Sequence, residues 1–361
     1  MDSFAEERFH LQARVARVFG CFFVSRAWDG SFDDYEADFS IYYAAYVVVV
    51  TVAMITYEAF MGIQHYLLLT NFSSFFETLY SLLHLIVAVK VMVNFLVLNF
   101  NTPTIVAALR AVKRMELSIN FRFQDDECFW IKRRLSVVLF TVLLLALSLC
   151  RGFAIAEGTR NLQGTVAFFL TALSIVFTVC YGVIGALVLL HEKYFCVVLS
   201  RFVEFQAEST KKALCSPHSS ERAKDVTGEI QRLRSSFAVV TDIVRQVDKS
   251  LRFAVVVHFL CSAIAVCIVV YALFAAETSR GKLFFTVLYA IFTSVLIVDV
   301  SLSASEIRAE AANLKAVLES ASLVSLPSRV RAQFVGVVMT YSILLVQTGR
   351  KSEAPDSGHL R

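Results

Sequence analysis

The sequence predicts an all-α, polytopic membrane protein with seven transmembrane helices and a cytosolic N-terminus. Of its 361 residues, 57% are hydrophobic and only 18% are charged, whereas soluble domains have about 45–50% apolar and about 25% charged residues. The apolar residues form continuous runs of a length that crosses about 30 Å of hydrocarbon. These runs lack the period-two alternation of membrane β-barrels, so they favour helices.

Six segments reach the length of a spanning helix, and a seventh is shorter. They cover residues 41–62, 75–99, 135–156, 164–190, 253–276 and 283–305, and the shorter one covers 332–348. A short final helix is compatible with a membrane protein when neighbouring helices shield it from lipid. We therefore predict seven spans.

Lys and Arg residues lie mainly on one side of these spans. The N-terminal segment and the second, fourth and sixth loops carry 24 of the 34, while the other loops and the C-terminal tail carry six. Cytoplasmic loops are enriched in Lys and Arg. The distribution therefore predicts a cytosolic N-terminus and, after seven spans, an extracellular C-terminus.

Three predicted spans continue into the cytosol as amphipathic helices. Apolar residues recur at three- and four-residue steps after the fourth span, as at Tyr194, Val198 and Phe202, and the same pattern precedes the fifth span and follows the sixth. Such stripes pack against one another, so we predict a cytosolic helical bundle. The alternative is helices lying on the inner leaflet.

Motifs of soluble enzymes are missing from the sequence. His191-Glu192 begins like the helix of a zinc protease, but Phe195 stands where the second histidine ligand would be. We therefore predict no enzymatic activity, catalytic residue, metal site or cofactor. A net charge of +4 is too small to indicate a nucleic-acid partner.

Ionisable residues within the predicted spans are the first candidate site. Glu77 and His84 form a polar stripe on the second span with Ser81 between them, and Lys90 and Asn94 form another on a different face. Burial of such groups in hydrocarbon is costly, so they often mark ligand or ion pathways. We take Glu77 and His84 as ligand-pocket candidates, with interhelical pairing or snorkelling as the alternative.

The seventh segment contains the second candidate site. Leu344 and Gln347 are three residues apart and share a helix face, with Tyr341 one turn earlier. If several copies surrounded one axis, a leucine ring beside an amide ring would form a dewetting gate with a polar mouth. Ordinary helix packing with a terminal glutamine is the alternative.

The same segment resembles the C-terminal motif of the insect gustatory receptors. Thr340 and Tyr341 are followed by five residues and then Gln347, and Gly336 precedes the threonine by four positions. Together with seven spans and the reversed orientation, the resemblance extends over the architecture of the whole chain. Residues 307–331 form a shorter connection than is usual in that family.

This resemblance implies a tastant-gated, non-selective cation channel in the plasma membrane, assembled as a homo- or heterotetramer of gustatory receptor subunits. Its partners would be a small-molecule tastant, permeating cations and the lipid bilayer. Leu344 would be a gate position and Gln347 a pore-mouth position, while Thr340 and Tyr341 would orient the pore helix.

The resemblance also implies a domain organisation. Residues 1–40 would be a cytosolic segment, 41–305 a ligand-binding bundle with anchor helices at about 191–252, 306–331 a further anchor helix and connection, 332–348 the pore-lining helix, and 349–361 an extracellular tail.

An odorant receptor of the same superfamily, a G-protein-coupled receptor and a transporter are the alternative functions.

Overall fold

The structure is a computed structural model that describes residues 3–25, 31–36, 40–69, 75–121, 127–158, 164–215, 222–274 and 280–322. Its helices are α1 (Phe4–Val18), α2 (Ile41–Leu69), α3 (Phe75–Phe100), α4 (Thr102–Ser118), α5 (Glu127–Gly158), α6 (Gly164–Cys215), α7 (Arg222–Phe274) and α8 (Arg280–Ser322). The predicted all-α fold is confirmed.

Six helices of the described chain are long and apolar enough to cross a membrane. The qualifying stretches are Ile41–Met61, Thr78–Phe100, Leu135–Ala156, Gly164–Lys212, Ala238–Phe274 and Arg280–Leu314. Each overlaps one of the six longer segments predicted from sequence, and the stretch Leu135–Ala156 has the predicted bounds. The seventh segment, residues 332–348, lies outside the described residues.

The membrane-facing character of these helices is visible on α5. Val138, Val142, Leu145 and Leu149 recur at helical spacing and are each more than half exposed. A soluble protein rarely leaves so continuous an apolar stripe in water. The opposite face of α5, which includes Arg151, is buried. Lipid therefore solvates one side of the helix, and the bundle interior receives the other.

The chain divides into two compact units. Unit 1 contains the described residues within 1–110, 122–194 and 245–300, and unit 2 those within 111–121, 195–244 and 301–361. The apolar core of unit 1 is built from α3, α5, α6, α7 and α8, with Leu83, Leu147, Leu189, Ala265 and Phe285 among its buried residues.

Two glycines in unit 1 allow α5 and α6 to approach closely. A Cβ atom on Gly152 would lie 2.8 Å from Ile175, and one on Gly182 would lie 2.2 Å from the Leu144 side chain. Small residues at helix contacts are typical of membrane bundles, where close packing replaces the hydrophobic driving force.

Unit 2 contains the helical continuations predicted from sequence. Within α6, α7 and α8 the helix runs on past the apolar span, and Val198, Phe202 and Leu314 are fully buried. Phe121 packs edge-on against Phe202, with ring centroids 5.0 Å apart. The amphipathic stripes thus pack into a core, and the cytosolic location of this unit stays a prediction.

Two helices were not predicted. The segment that follows the second span forms α4, which ends at Ser118. Two residues later, Asn120 has the left-handed conformation (φ 51°), which is common just after a helix. The N-terminal segment forms α1, which begins where the Ser3 side chain accepts a hydrogen bond from the Glu6 amide. Both helices are too short and too polar to stand out by hydropathy.

The N-terminal segment packs into unit 1 through an aromatic cluster. Phe9 meets Phe22, Phe32 and Tyr194 with ring centroids 4.8–6.0 Å apart, and Phe9, Phe22 and Phe32 are fully buried. The Tyr194 hydroxyl donates to the Ala5 carbonyl at 2.9 Å. Burial of each phenylalanine contributes about 1.5–3 kcal/mol, so this segment is an integral part of unit 1.

Arg110 holds the last part of this segment in place. Its guanidinium donates to the carbonyls of Phe32 at 3.3 Å, Asp33 at 3.4 Å and Tyr35 at 2.5 Å. Cys21, in the same N-terminal segment, is fully buried, and burial raises the pKa of its thiol. Thiolate formation, and hence alkylation, requires local opening of the segment.

We predict that Arg110→Ala increases the alkylation rate of Cys21. Loss of the charged donor destabilises the closed segment by about 1–3 kcal/mol, and every 1.4 kcal/mol corresponds to about a tenfold increase in the open population. Peptide mass spectrometry after timed maleimide treatment measures the rate. Arg201→Ala is the control, because Arg201 makes a partly exposed ion pair with Glu204 worth about 0–1 kcal/mol. Equal Cys21 rates in both variants would contradict the assignment.

Candidate functional site

Unit 1 contains a cavity enclosed by α2, α3, α5, α6 and α8, which we call the bundle cavity. Its aromatic lining consists of Tyr57, Phe177, Tyr181, Phe285, Tyr289 and Phe292, and His84, Lys90, Arg151 and Thr178 are the polar side chains. An aromatic wall with a few converging polar groups is typical of small-molecule sites. The cavity measures about 30 Å³, room for about two waters.

A stacked aromatic pair forms one wall of the bundle cavity. The rings of Tyr57 on α2 and Phe177 on α6 are parallel to within 2°, with centroids 4.1 Å apart, and Tyr181 meets both edge-on at 6.1 Å. Tyr57 is only 6% exposed. Tyr57 is therefore an interior residue of the bundle.

His84 lies at the centre of a polar chain that joins three helices. Its Nε2 atom is 3.3 Å from Glu58 Oε2 on α2, and its Nδ1 atom is 3.3 Å from an Arg151 Nη atom on α5. A neutral imidazole can donate from Nε2 and accept at Nδ1. Arg151 also donates to the Tyr80 hydroxyl and lies over the Phe285 ring at 5.3 Å.

Lys90 reaches the bundle cavity from the same helix as His84. Its Nζ atom donates to the Tyr289 hydroxyl at 2.8 Å and lies 5.1 Å from that ring's centroid. Six residues separate Lys90 and His84, so their Cα atoms lie about 120° apart around α3. The lysine side chain is long enough to reach the cavity from its own face of the helix. Lys90 and His84 therefore line the same cavity, although the sequence analysis placed them on different faces.

Elsewhere in unit 1, Asp299 on α8 forms an interhelical ion pair with Lys193 on α6 at 2.5 Å. The structure does not describe the side chains of the remaining predicted site residues. Glu77 lies on α3, but its side chain is outside the described part of the structure. The pore positions Thr340, Tyr341, Leu344 and Gln347 also lie outside the described residues. In the described ranges, no group of three or more His, Cys, Asp or Glu side chains could hold a metal ion.

Sequence reasoning missed Arg151 and Tyr57. Both lie on helix faces whose other members are buried, as with Leu144, Leu147 and Ser148 beside Arg151 on α5. That periodicity is readable in the sequence and could have placed Arg151 in the interior. Its partners on α3 are not readable, because they depend on how the helices pack.

Comparison with known proteins identifies the architecture. Residues 9–334 match the family described as 7tm chemosensory receptor. The structure is similar to that of the insect olfactory receptor OR5 from Machilis hrabei, with a TM-score of 0.69, 12% identity, and coverage of 94% of this chain and 91% of that chain. The same receptor in complex with eugenol gives a TM-score of 0.61 at 12% identity, covering 96% and 100%.

No curated protein sequence matches the chain. The family match covers far more than half of the residues, and the structural likeness extends over nearly the whole of both chains. The apolar helices and the receptor family together identify a multi-pass membrane protein. The chain belongs to the 7tm chemosensory receptor family and has the fold of the insect olfactory receptors.

Proposed function

We propose that this chain is a subunit of a taste receptor that opens a non-selective cation pore when a small tastant binds in the bundle cavity. The observation that carries the proposal is the cavity itself, which combines six Tyr and Phe side chains with buried hydrogen-bond donors inside a membrane bundle. Polar groups at that depth commonly serve ligand or ion pathways. The eugenol complex of the olfactory receptor with the same fold supports a small-molecule ligand.

The pore is assigned to the segment after α8. The motif from Thr340 to Gln347 is the basis for this assignment, with Leu344 as the gate and Gln347 as the pore mouth of a homo- or heterotetramer. The charge distribution supports a plasma-membrane orientation with the N-terminus in the cytosol. A receptor of this kind has no need of an enzymatic cofactor.

An odorant receptor is the second candidate function. Two solved structures to which this chain is similar are of an olfactory receptor, and at 12% identity they support the fold without choosing between taste and smell. Recording from cells that express the chain, with a panel of non-volatile tastants and a panel of volatile odorants, separates the two. The family and fold favour a channel subunit over a G-protein-coupled receptor or a transporter.

The direct test is patch-clamp recording with those panels. Tastant-evoked unitary currents that reverse near 0 mV in mixed Na⁺ and K⁺ solutions are expected for a non-selective cation channel. Responses that require G proteins and show no unitary conductance would contradict the proposal.

We predict that Gly185→Ala raises the half-activating concentration of a tastant several-fold. Gly185 lines the bundle cavity, and a Cβ atom there would lie 3.6 Å from the Lys90 side chain. The methyl group therefore fits without a clash but takes up part of a small cavity. The substitution keeps the backbone carbonyl of residue 185, which accepts a hydrogen bond from the Asn94 side chain at 3.0 Å. Concentration–response curves of the evoked current measure the effect.

Gly164→Ala is the matched control on the same helix. Gly164 is the first residue of α6, and a Cβ atom there would have no heavy atom of the described residues within 4 Å. Its half-activating concentration is expected to equal that of the wild type. Identical curves for both variants and the wild type would argue against ligand binding in the bundle cavity.

We predict that Gln347→Lys reduces the tastant-evoked cation current at least tenfold at equal surface expression. Four ammonium groups at a pore mouth repel entering cations. Gln347→Glu places the opposite charge at the same position and should preserve or increase the current. Wild-type currents in both variants would count against the pore assignment of Gln347.

The proposed orientation predicts that an epitope tag at the N-terminus is inaccessible on intact cells, whereas one at the C-terminus is labelled. The physical reason is the excess of Lys and Arg on the N-terminal side of the spans. Antibody labelling before and after permeabilisation measures this. Surface labelling of the N-terminal tag would overturn the orientation.

A further inference from the structure

The bundle cavity contains an imbalance of charge. Lys90 and Arg151 line it and are 3% and 1% exposed. Among the described residues, neither makes an ion pair with a carboxylate. The nearest acid in this network, Glu58, contacts His84 instead. The described walls therefore present two cations and no directly paired anion.

Arg151 contributes a permanent positive charge to this imbalance. A guanidinium stays charged in proteins, and it carries five N–H donors in a planar fork. Its described polar partners are the hydroxyls of Tyr80 and Tyr57 and the Nδ1 atom of His84. These are three uncharged acceptors for five N–H donors. A carboxylate matches the remaining geometry, because it accepts two parallel hydrogen bonds from a guanidinium.

Lys90 differs from Lys193, a partly exposed lysine of the same unit. Lys193 pairs with the Asp299 carboxylate at 2.5 Å, whereas Lys90 donates to the Tyr289 hydroxyl. A charged group within a membrane bundle is normally paired or faces a water-filled cavity. Lys90 faces the bundle cavity, where an anion would complete its coordination.

We infer that the bundle cavity binds a small organic monocarboxylate, with the carboxylate at Arg151 and Lys90 and an apolar body among the aromatic side chains. This inference rests on the proposed function only in assigning the cavity to the ligand. Tyr57, Phe177 and Phe292 provide the apolar surface. A cavity of about 30 Å³ does not hold such a molecule unless these side chains change rotamer, so binding is coupled to rearrangement.

The experiment measures the thermal stability of the purified full-length receptor in a chloride-free sulfate buffer at pH 7.4. Phenylacetate, benzoate and hexanoate are each compared with their methyl esters, which keep the carbon skeleton and lose the charge. A ligand that binds the native state stabilises it in proportion to its occupancy. The carboxylates are expected to reach half-maximal stabilisation at a concentration at least tenfold lower than the esters.

Charge variants locate the effect. Lys90→Met should abolish the tenfold preference for the carboxylates, while Lys90→Arg, which keeps the charge, should retain it. Lys193→Gln removes a cation of the same unit that does not line the cavity and should also retain it. Arg151→Lys is expected to weaken the preference. If this variant does not fold, the comparison of Lys90→Met with Lys90→Arg still tests the inference.

Three results would overturn the inference. The first is that the carboxylates stabilise the receptor no better than their esters, or that neither stabilises it. The second is that chloride stabilises it as well as the carboxylates do. The third is that Lys193→Gln loses the preference for carboxylates to the same extent as Lys90→Met. Current recordings separate this inference from the proposed function. If carboxylates bind without evoking currents, the channel function is refuted and the ligand class is supported. If only neutral compounds evoke currents, the channel function is supported and the ligand class is refuted.

Discussion

The buried guanidinium of Arg151 is the constraint on which the interior of unit 1 depends. A charge that cannot be neutralised costs several kcal/mol in an apolar bundle unless polar groups surround it. Here Tyr80 and His84 on α3 contact it, Phe285 on α8 lies against it, and Glu58 on α2 supports His84. One arginine thereby sets the relative positions of four helices, and the cavity is the space that their polar contacts leave open.

The fold was largely predictable because lipid restricts the choices. Exposed backbone is not tolerated in hydrocarbon, so an apolar run such as residues 135–156 has to be a helix, and the structure has a spanning stretch over the same residues. The continuations of α6, α7 and α8 followed from amphipathic periodicity. In contrast, α1 and α4 are held by tertiary contacts, such as those of Phe9 and Arg110, which no local pattern encodes.

The site was only partly predictable, for a related reason. His84 stood out because an ionisable residue within an apolar run is conspicuous, and it lines the cavity. The role of Tyr57 depends on Phe177, which is 120 positions away in the chain and meets it through helix packing. Lys90 was assigned to another face because a projection of the helix considers Cα directions, whereas a lysine side chain reaches well beyond its own face.

Lys90 and Lys193 show how packing separates a charge that serves the structure from one that is available to a ligand. Lys193 and Asp299 satisfy each other across α6 and α8, so a ligand there would have to displace an existing ion pair. Lys90 contacts Tyr289 on the same α8 through a neutral hydroxyl, which a carboxylate can replace at little electrostatic cost. Any ligand larger than two waters must move side chains of the cavity wall, and α8 contributes Phe285, Tyr289 and Phe292 to that wall. Ligand occupancy and the packing of α8 are therefore linked by volume as well as by charge, and α8 is the element that precedes the proposed pore segment in the chain.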